Sequence, residues 1–474
     1  MASAELAEKV AILREGFGNQ LLKEIPARKA AIRSIVTMLT DNEEAFYEAC
    51  GKDLGRCKLE TMAADLAPTK MEANTILAKM DEWLSDEKVS RSFLSLMDTP
   101  YVQRQPYGLV LVIGAWNYPV VLTLGPAIGA IAAGNTVLLK PSEHSLATAT
   151  LIANLVPKYI DSRICQVFCG DEDASKNMMD SVRFDYVFYT GGPTVGRSVY
   201  MAAAKNLTPV TLELGGKCPV FVDSNVNVEM AAKRIIWSKI FNAGQTCVAP
   251  DYVICHTDVF DELSVAIGKV LEKFLGPDPR SSPDYARIIN LRHFRRLVTL
   301  LKNSEGTILY GGDSSEDDLF ISPTVVKDVP ADDTLMSEEI FGPILPIVTV
   351  DLVADAVQII NKGEKSLAIY VFTNDQSVFD EFKLRTSSGS LSQNNCLSHF
   401  LLSELPFGGV GHSGIGRYHG KYSIDTFSHQ RAILLKSTND VVNNSILYYP
   451  YTERQFRWIS WALSKSENRS CVVM

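Results

Sequence analysis

Residues 108–139 carry no charged side chain over 32 consecutive positions, and this run limits the folds open to the chain. A neutral stretch of that length either crosses a bilayer or lies inside a protein, covered on all sides. Pro119, Pro126, Asn117 and the internal glycines Gly114, Gly125, Gly129 and Gly134 divide it into short pieces. One membrane-spanning helix fits that punctuation poorly. The pieces parse as a strand at 109–113, a turn, a helix of small residues over about 122–133 and a strand at 136–139. A βαβ unit buried on both faces has this pattern.

The alternation continues. Strands are expected at 165–169, 184–189 and 210–214 with helices between them, so residues 108–216 should build a parallel sheet of the α/β class. A second alternating region follows, with strands at 219–222, 307–310, 344–350 and 367–372 and helices at 227–241 and 352–360. Residues 1–85 read as helices, one face marked by Leu6, Val10, Leu13 and Phe17 and another by Ile32, Ile35, Val36 and Leu39. Asp41 with Glu44 has the form of a capping box for the next helix. Around Pro100 and Pro106 the chain should make an extended excursion, and Ala432 to Leu435 is strand-like.

A chain of 474 residues exceeds one compact core, so two or three domains are expected. Its net charge of −9 offers no basic footprint for nucleic acid. Nine cysteines without a C-x-x-C pair, and no apolar leader at the N-terminus, point to a reducing compartment rather than a disulfide framework. None of the seven histidines stands at metal-ligand spacing from a cysteine or another histidine, so no metal is expected.

The chemistry centres on Phe241-Asn242-Ala243-Gly244-Gln245-Thr246-Cys247-Val248-Ala249-Pro250, a neutral loop with one thiol after an amphipathic helix. A free cysteine is usually a small buried hydrophobe. Three other segments change that reading: Gly114-Ala115-Trp116-Asn117-Tyr118-Pro119, Leu212-Glu213-Leu214-Gly215-Gly216-Lys217 and Glu338-Glu339-Ile340-Phe341-Gly342-Pro343. A nucleophile, a carboxylate and an amide donor are the parts needed for acyl-type covalent catalysis. Alternation places Leu212 and Leu214 opposite Glu213, so that carboxylate faces either a cleft, where desolvation suits it as a base, or solvent. Asn117 suits an amide donor and equally a turn before Tyr118-Pro119. Lys140 and Glu143 follow a strand, where doubly wound sheets bind ligands, and fit a solvated turn as well. Gly191, Gly192 and Gly196 follow another strand in a Gly-x-x-x-x-Gly spacing, not the G-x-G-x-x-G fingerprint. Pro193 would open a helix there, whose N-terminus favours a phosphate.

These segments, in this order and at these separations, resemble the aldehyde dehydrogenase superfamily over nearly the whole chain. The short N-terminus, Leu207-Thr208-Pro209-Val210 and Leu405-Pro406-Phe407-Gly408-Gly409-Val410-Gly411 are similar to its class 3 branch. The resemblance implies a Rossmann-like NAD(P) domain (1–90 and 107–216), a second α/β catalytic domain (217–420) and a small β oligomerisation element (91–106 and 421–445), with a C-terminal helix and lipidated tail at 446–474. It implies that Cys247 attacks an aldehyde, that Asn117 holds the oxyanion with the Cys247 backbone, and that Glu213 activates water. Glu339 would hold the nicotinamide ribose, Phe341 would pack on the cofactor, and Lys140 with Glu143 would hold the adenosine ribose. Gly191, Gly192, Gly196, Leu214 and Gly215 would complete the cofactor site, and Tyr118 would line the substrate pocket. NAD is the expected cofactor, with NADP open; the substrates would be medium- to long-chain or lipid-derived aldehydes, and the protein a homodimer.

Two departures stand out. Most members have Ser where this chain has Gly192, which leaves the phosphate to backbone N–H groups. Asn394-Asn395 replaces the usual Asn-Asp. An acylating semialdehyde or acyl-phosphate reductase should lack the base that Glu213 provides, and a structural protein on this fold should have lost Cys247, Asn117 or Glu213. The ending Cys471-Val472-Val473-Met474 is similar to that of lipid-anchored members and fits a farnesylation signal on Cys471, which would place the protein on the cytoplasmic face of a membrane with a cytosolic fraction. Phe456, Ile459 and Leu463 should share a helix face, which would cap the substrate tunnel or lie at a membrane interface.

Overall fold

In the computed structural model, which describes residues 2–91, 98–438 and 448–467, the neutral run lies in the middle of a six-stranded sheet. The strand order is Gly414–Ile415, Val210–Glu213, Tyr186–Thr190, Leu109–Ile113, Thr136–Lys140, Cys165–Val167. All neighbours are parallel except Gly414–Ile415, which runs antiparallel to Val210–Glu213. Val110, Val112, Val137, Leu139 and Phe188 face one core, with Ile32, Ile35, Leu39, Ile76 and Ile128 from covering helices. Leu109, Leu111, Leu138, Val187, Leu212 and Leu214 face the other, with Leu6, Leu13, Met178 and Val199. The period-two alternation thus serves two apolar faces.

The helix Val121–Ala133 is buried at every position after its first. Gly129 permits a close approach there: a Cβ would stand 2.6 Å from the Cβ of Ser423. Among the described residues no helix is long and apolar enough to cross a membrane.

A second, seven-stranded sheet has the order Thr307–Tyr310, Thr324–Lys327, Ile344–Val350, Tyr252–His256, Pro219–Val222, Ala368–Phe372, Ser390–Gln393, parallel except for its first pair. Phe221, Ile254, Ile369, Val371 and Phe382 cover one face, and Ile235, Ile236, Leu263, Ile267 and Leu297 belong to the core on the other. Thr99–Pro106 pairs antiparallel with Ser428–Leu435 along its whole length, and Glu87–Lys88 adds to its far edge.

One local expectation fails. Asp41 ends the helix Ile25–Asp41, and the helix Glu43–Leu54 starts after Asn42 without a side-chain cap. The Asn42 amide turns back to the Met38 carbonyl (2.8 Å), while Glu44 pairs with Lys58 at the surface. In the C-terminal helix Glu453–Glu467 Ala462 is buried, whereas Phe456 and Leu463 are exposed.

The two cores meet beside a buried ion pair. Arg56 and Asp65 are both fully covered and hydrogen-bonded to each other, with Asp65 on a π-helical turn, Met62–Leu66. Asp65 Oδ1 accepts from the backbone N–H groups of Val120 (3.0 Å) and Val121 (2.9 Å), at the start of the neutral helix. Burial opposes the Arg56 charge, but Asp65 together with Cys50, Tyr118 and Glu60 outweighs it and holds the guanidinium protonated. Removing one partner of such a pair strands the other. Asp65→Asn should therefore cost about 3–5 kcal/mol in urea unfolding, and Arg56→Met added to it should recover part of the loss.

Candidate active site

The helix Val228–Ile240 delivers the thiol loop. Asn227 caps it by accepting from the Met230 N–H (2.9 Å), and Val228, Ala232, Ile235, Ile236 and Ile240 are buried. The helix stops at Ile240, well before Pro250, because the next turn leaves helical geometry: Asn242 has φ 53° and Ala243 φ 51°. Left-handed angles at a non-glycine residue are strained, and strain of this kind gathers at functional sites. Gly244 continues the bend at φ 72°, and a Cβ there would stand 2.3 Å from the Gly342 carbonyl oxygen. Only glycine lets the thiol loop pack this closely on the Glu338-to-Pro343 segment.

Gln245 pins the loop. Its Nε2 donates to the carbonyls of Asn242 (3.0 Å) and Arg287 (2.9 Å), and its Oε1 accepts from the Ile289 N–H (2.9 Å). Asn117 is buried, and its Nδ2 donates to the Gln245 carbonyl (3.1 Å). The Asn117 carbonyl accepts from Arg56 (3.2 Å) and from the Asn242 amide (3.0 Å). The Tyr118 hydroxyl bonds the Thr246 hydroxyl. Asn117, Tyr118 and the thiol loop thus form one hydrogen-bonded block.

Two cavities meet at this block. The first, about 810 Å³ with its mouth, is mostly apolar; Tyr118, Val121, Leu122, Phe400, Leu401 and Phe407 are among its walls. The second, about 2610 Å³ including open space, is more polar and is lined by Trp116, Gly191, Gly192, Gly215, Glu339 and Phe341, among others. Thr190, Glu213, Leu214 and Cys247 line both.

Glu213 is 3 % exposed, and neither carboxylate oxygen has a hydrogen-bond partner. Leu212 and Leu214 occupy the opposite face, so the strand pattern resolves toward the cleft. Burial raises the Glu213 pKa well above the usual carboxylate value. The Cys247 thiol is half-buried, and desolvation, then Glu339 and Glu213, push it up to about 12. Glu339 is raised to about 8, by desolvation first and then by Asp251. Its Oε1 is buried without a partner. A Cβ on Gly215 would stand 2.4 Å from the Glu339 carboxylate oxygens, so a larger residue there would push that side chain aside.

The remaining expected residues divide. Gly192 is the N-cap of the helix Pro193–Ala204 and supplies no side-chain cap, which leaves that N-terminus to its backbone N–H groups. Gly196 does not line the larger cavity; it is buried, and a Cβ there would stand 2.8 Å from Leu214. Lys140 and Glu143 are ion-paired to each other and lie outside the lining of the larger cavity. Burial works to raise the Glu143 pKa, but the bond and charge of Lys140, a backbone N–H and His144 together outweigh it and the pKa is lowered. Asn394 takes a left-handed φ of 56° and exchanges bonds with the Thr373 backbone (2.9 Å each), a structural role. Asn395 lines neither cavity.

Sequence reasoning missed the supports. Arg296 bonds Glu338 (3.1 Å) and the Glu339 and Ile340 carbonyls, and Lys217 bonds Asp251 and the Leu335 and Glu338 carbonyls. Together they fix the Glu339 segment. His293 packs on Trp116 (5.1 Å between rings), and Trp116 on Phe341 (5.3 Å), along the larger cavity. Lys217, Trp116 and Glu338 stand inside the quoted segments without having been given this role, whereas Arg296 and His293 belong to no spaced motif. Arg56 and Asp65 lie in a stretch rich in charges, where nothing marks them out.

Fold and site together define a two-sheet α/β protein with a thiol and an unpaired carboxyl group where a lipophilic cavity meets a polar one. A sequence model of the aldehyde dehydrogenase family matches residues 2–433, and the chain belongs to that family. It is 44 % identical to aldehyde dehydrogenase family 3 member B1 of Rattus norvegicus over 97 % of both chains. It is 41 % identical to family 3 member A2 of Pongo abelii, over 96 % of this chain and 94 % of that one. Among solved structures it is similar to the substrate-bound state of Staphylococcus aureus AldH, with TM-score 0.93 and 39 % identity over 96 % of this chain and 99 % of the other. A Mycobacterium tuberculosis aldehyde dehydrogenase complexed with NAD+ matches with TM-score 0.83 and 27 % identity, over 92 % of this chain and 91 % of that one. The protein is an aldehyde dehydrogenase of the class 3 type.

The electrostatics of the thiol give a direct check. Iodoacetamide trapping of Cys247 in the cofactor-free enzyme should accelerate with pH well past the ordinary thiol range, toward the pKa of about 12. Glu213→Gln removes a negative neighbour and should shift that profile to lower pH. A profile centred near that of an ordinary thiol, and unmoved by the substitution, would contradict this electrostatic reading.

Proposed function

We propose that the protein oxidises medium- to long-chain or lipid-derived aldehydes to carboxylic acids with NAD(P), through a covalent adduct on Cys247. The observation that carries this reading is the meeting of the two cavities at Cys247 and Glu213. An aldehyde in the apolar cavity presents its carbonyl carbon to Cys247, which attacks as the thiolate after its proton has passed to solvent in the open polar cavity. The carbonyl π pair moves onto oxygen. The second N–H of the Asn117 amide and the backbone N–H of Cys247 hold that oxyanion, and one such donor is worth roughly 10²–10³ in rate. Arg56, Asn242 and Gln245 keep the amide in place.

The larger cavity fits a dinucleotide. The unpartnered Glu339 oxygen suits a ribose hydroxyl, the helix N-terminus that opens at Gly192 suits phosphate, Gly191 leaves room beside it, and Phe341 and Leu214 supply apolar contact. When bound, the nicotinamide supplies the hydride acceptor that takes the thiohemiacetal to the thioester. Glu213 then accepts a proton from water, the water oxygen attacks the thioester carbon, and Cys247 leaves as thiolate. Burial without a partner keeps this carboxyl group free for that water. Glu143 near an adenosine ribose would favour free hydroxyls over a 2′-phosphate, which supports NAD with NADP as second choice.

The apolar walls support long aliphatic chains. Ser428–Leu435 is an edge strand with Leu434 and Leu435 exposed, which supports pairing with a second copy in a homodimer. Cys471 lies outside the described residues; a prenyl group there, with the exposed Phe456 and Trp461 upstream, would hold the enzyme at a cytoplasmic membrane face.

Reduced nicotinamide formation from NAD and a medium-chain aldehyde should proceed in the wild type, disappear in Cys247→Ala, and fall to at most a single burst in Glu213→Gln. Steady turnover without the thiol would refute the covalent route. In cells expressing prenyltransferase, Cys471→Ser should move the protein from the membrane to the soluble fraction; an unchanged distribution would remove the anchor.

A further inference from the structure

The substrate cavity contains a polar group that the proposed chemistry does not use. Ala64, Pro68 and Glu72 lie on one face of a continuous helical stretch and line the apolar cavity. Ala64 shares its core with Tyr118, whose hydroxyl bonds Thr246 beside the thiol. Glu72 lies eight residues further on, or about 12 Å by helical rise. It is 5 % exposed. Its Oε1 accepts from the Gly420 N–H (2.7 Å) and the Ser423 hydroxyl (3.0 Å), which ties this helix to the helix Gly420–Thr426. Its Oε2 is buried with no partner.

The wall beside it is polar but uncharged. His419 lines the same cavity, has an unpartnered Nδ1 and is stacked on Phe407 (5.2 Å between rings, 22° apart). His399 stacks on the same Phe407 (6.0 Å, 15°). His419 holds a left-handed φ of 83°, a strained angle for this residue type. Ser403 also lines this part of the cavity. An unpaired buried polar atom costs stability unless something in the site satisfies it. The other walls there, Pro68, Val121, Leu122 and Gly125, offer no side-chain partner.

We propose that Glu72 Oε2 and His419 Nδ1 form a second recognition point in the substrate cavity, which selects aldehydes carrying a hydroxyl group on the chain remote from the carbonyl. This deepens the proposed function and rests on it. The hydroxyl bonds the Glu72 carboxyl group and the neutral imidazole, while the methylenes between hydroxyl and carbonyl lie along the apolar walls. Burial raises Glu72 to about 7 against the bonds from Gly420 and Ser423 and the nearby Ser403 hydroxyl, so near neutral pH it can donate as well as accept. Burial lowers His419 to about 3, so its imidazole stays neutral. An unsubstituted chain leaves both atoms unpaired, and a site built to bond a hydroxyl discriminates against the analogue that lacks it.

The test compares kcat/KM for aldehydes of one chain length with the hydroxyl moved position by position, against the unsubstituted aldehyde. One remote position should be favoured by at least about 10-fold. His419→Phe and Glu72→Met should each collapse that ratio toward one, a change that a purely structural role would not produce. Glu72→Met also loses the Gly420 and Ser423 bonds, so its folding is checked by thermal melting, and His419→Phe stands as the independent variant. Calorimetric binding of an alkanediol against the alkanol of equal length tests the same contact without turnover, and the diol should bind tighter to the wild type only. A preference below about two-fold at every position, a preference that survives His419→Phe, or equal binding of diol and alkanol would overturn the proposal. Absence of turnover with every aldehyde would instead refute the catalytic reading, and the calorimetry would still decide the recognition point.

Discussion

The buried contact between Arg56 and Asp65 organises much of what surrounds the thiol. Asp65 binds the first N–H groups of the neutral helix, and Arg56 binds the carbonyl of Asn117 three residues earlier in that segment. The Arg56 guanidinium also stacks on Tyr118 at 5.2 Å. Two fully desolvated charges are costly, and their mutual attraction offsets that cost only when the remaining donors and acceptors are satisfied. Here most are: backbone groups of the catalytic segment serve as their partners. The ion pair therefore fixes the turn that carries Asn117, and Asn117 in turn is bonded to the thiol loop through Gln245.

Around this rigid frame the structure tolerates local defects, and several of them lie at the cleft. Asn242, Ala243, Phe341 and His419 adopt left-handed angles, and Glu213, Glu339, Thr190 and Glu72 hold buried oxygens without partners. Each such feature costs stability. All but Asn242 and Ala243 line one of the two cavities, and those two lie in the loop that leads to Cys247. A surface built to receive ligands keeps its polar atoms unpaired, and the two apolar cores of the sheets supply the compensating stability.

Much of this was readable along the chain. Strands at Leu109–Ile113, Pro219–Val222 and Ile344–Val350 lie where hydrophobic alternation placed them, because burial on both faces of a parallel sheet leaves an unambiguous pattern. The thiol, the glutamate between two leucines and the asparagine stood out because each is a reactive or polar residue in a neutral setting. Less legible were features that depend on a choice of partner. The Asp41–Glu44 pair obeyed a local rule, yet Asn42 found a better acceptor in Met38. That Lys140 and Glu143 bond to each other was not read from the sequence.

The sequence by itself determined the α/β class, the neutral parallel strands and the set of chemical groups available to a covalent aldehyde chemistry. These follow from residue type and spacing, which act over a few residues. The tertiary structure alone decided that Glu213 faces a cavity and not solvent, that Gly192 opens a helix, and that Arg56 and Asp65 brace Asn117. It alone brought Glu72 and His419 to one cavity, although nearly 350 residues separate them. Contacts of that kind depend on how two sheets and their helices pack, and no periodicity within a segment encodes them.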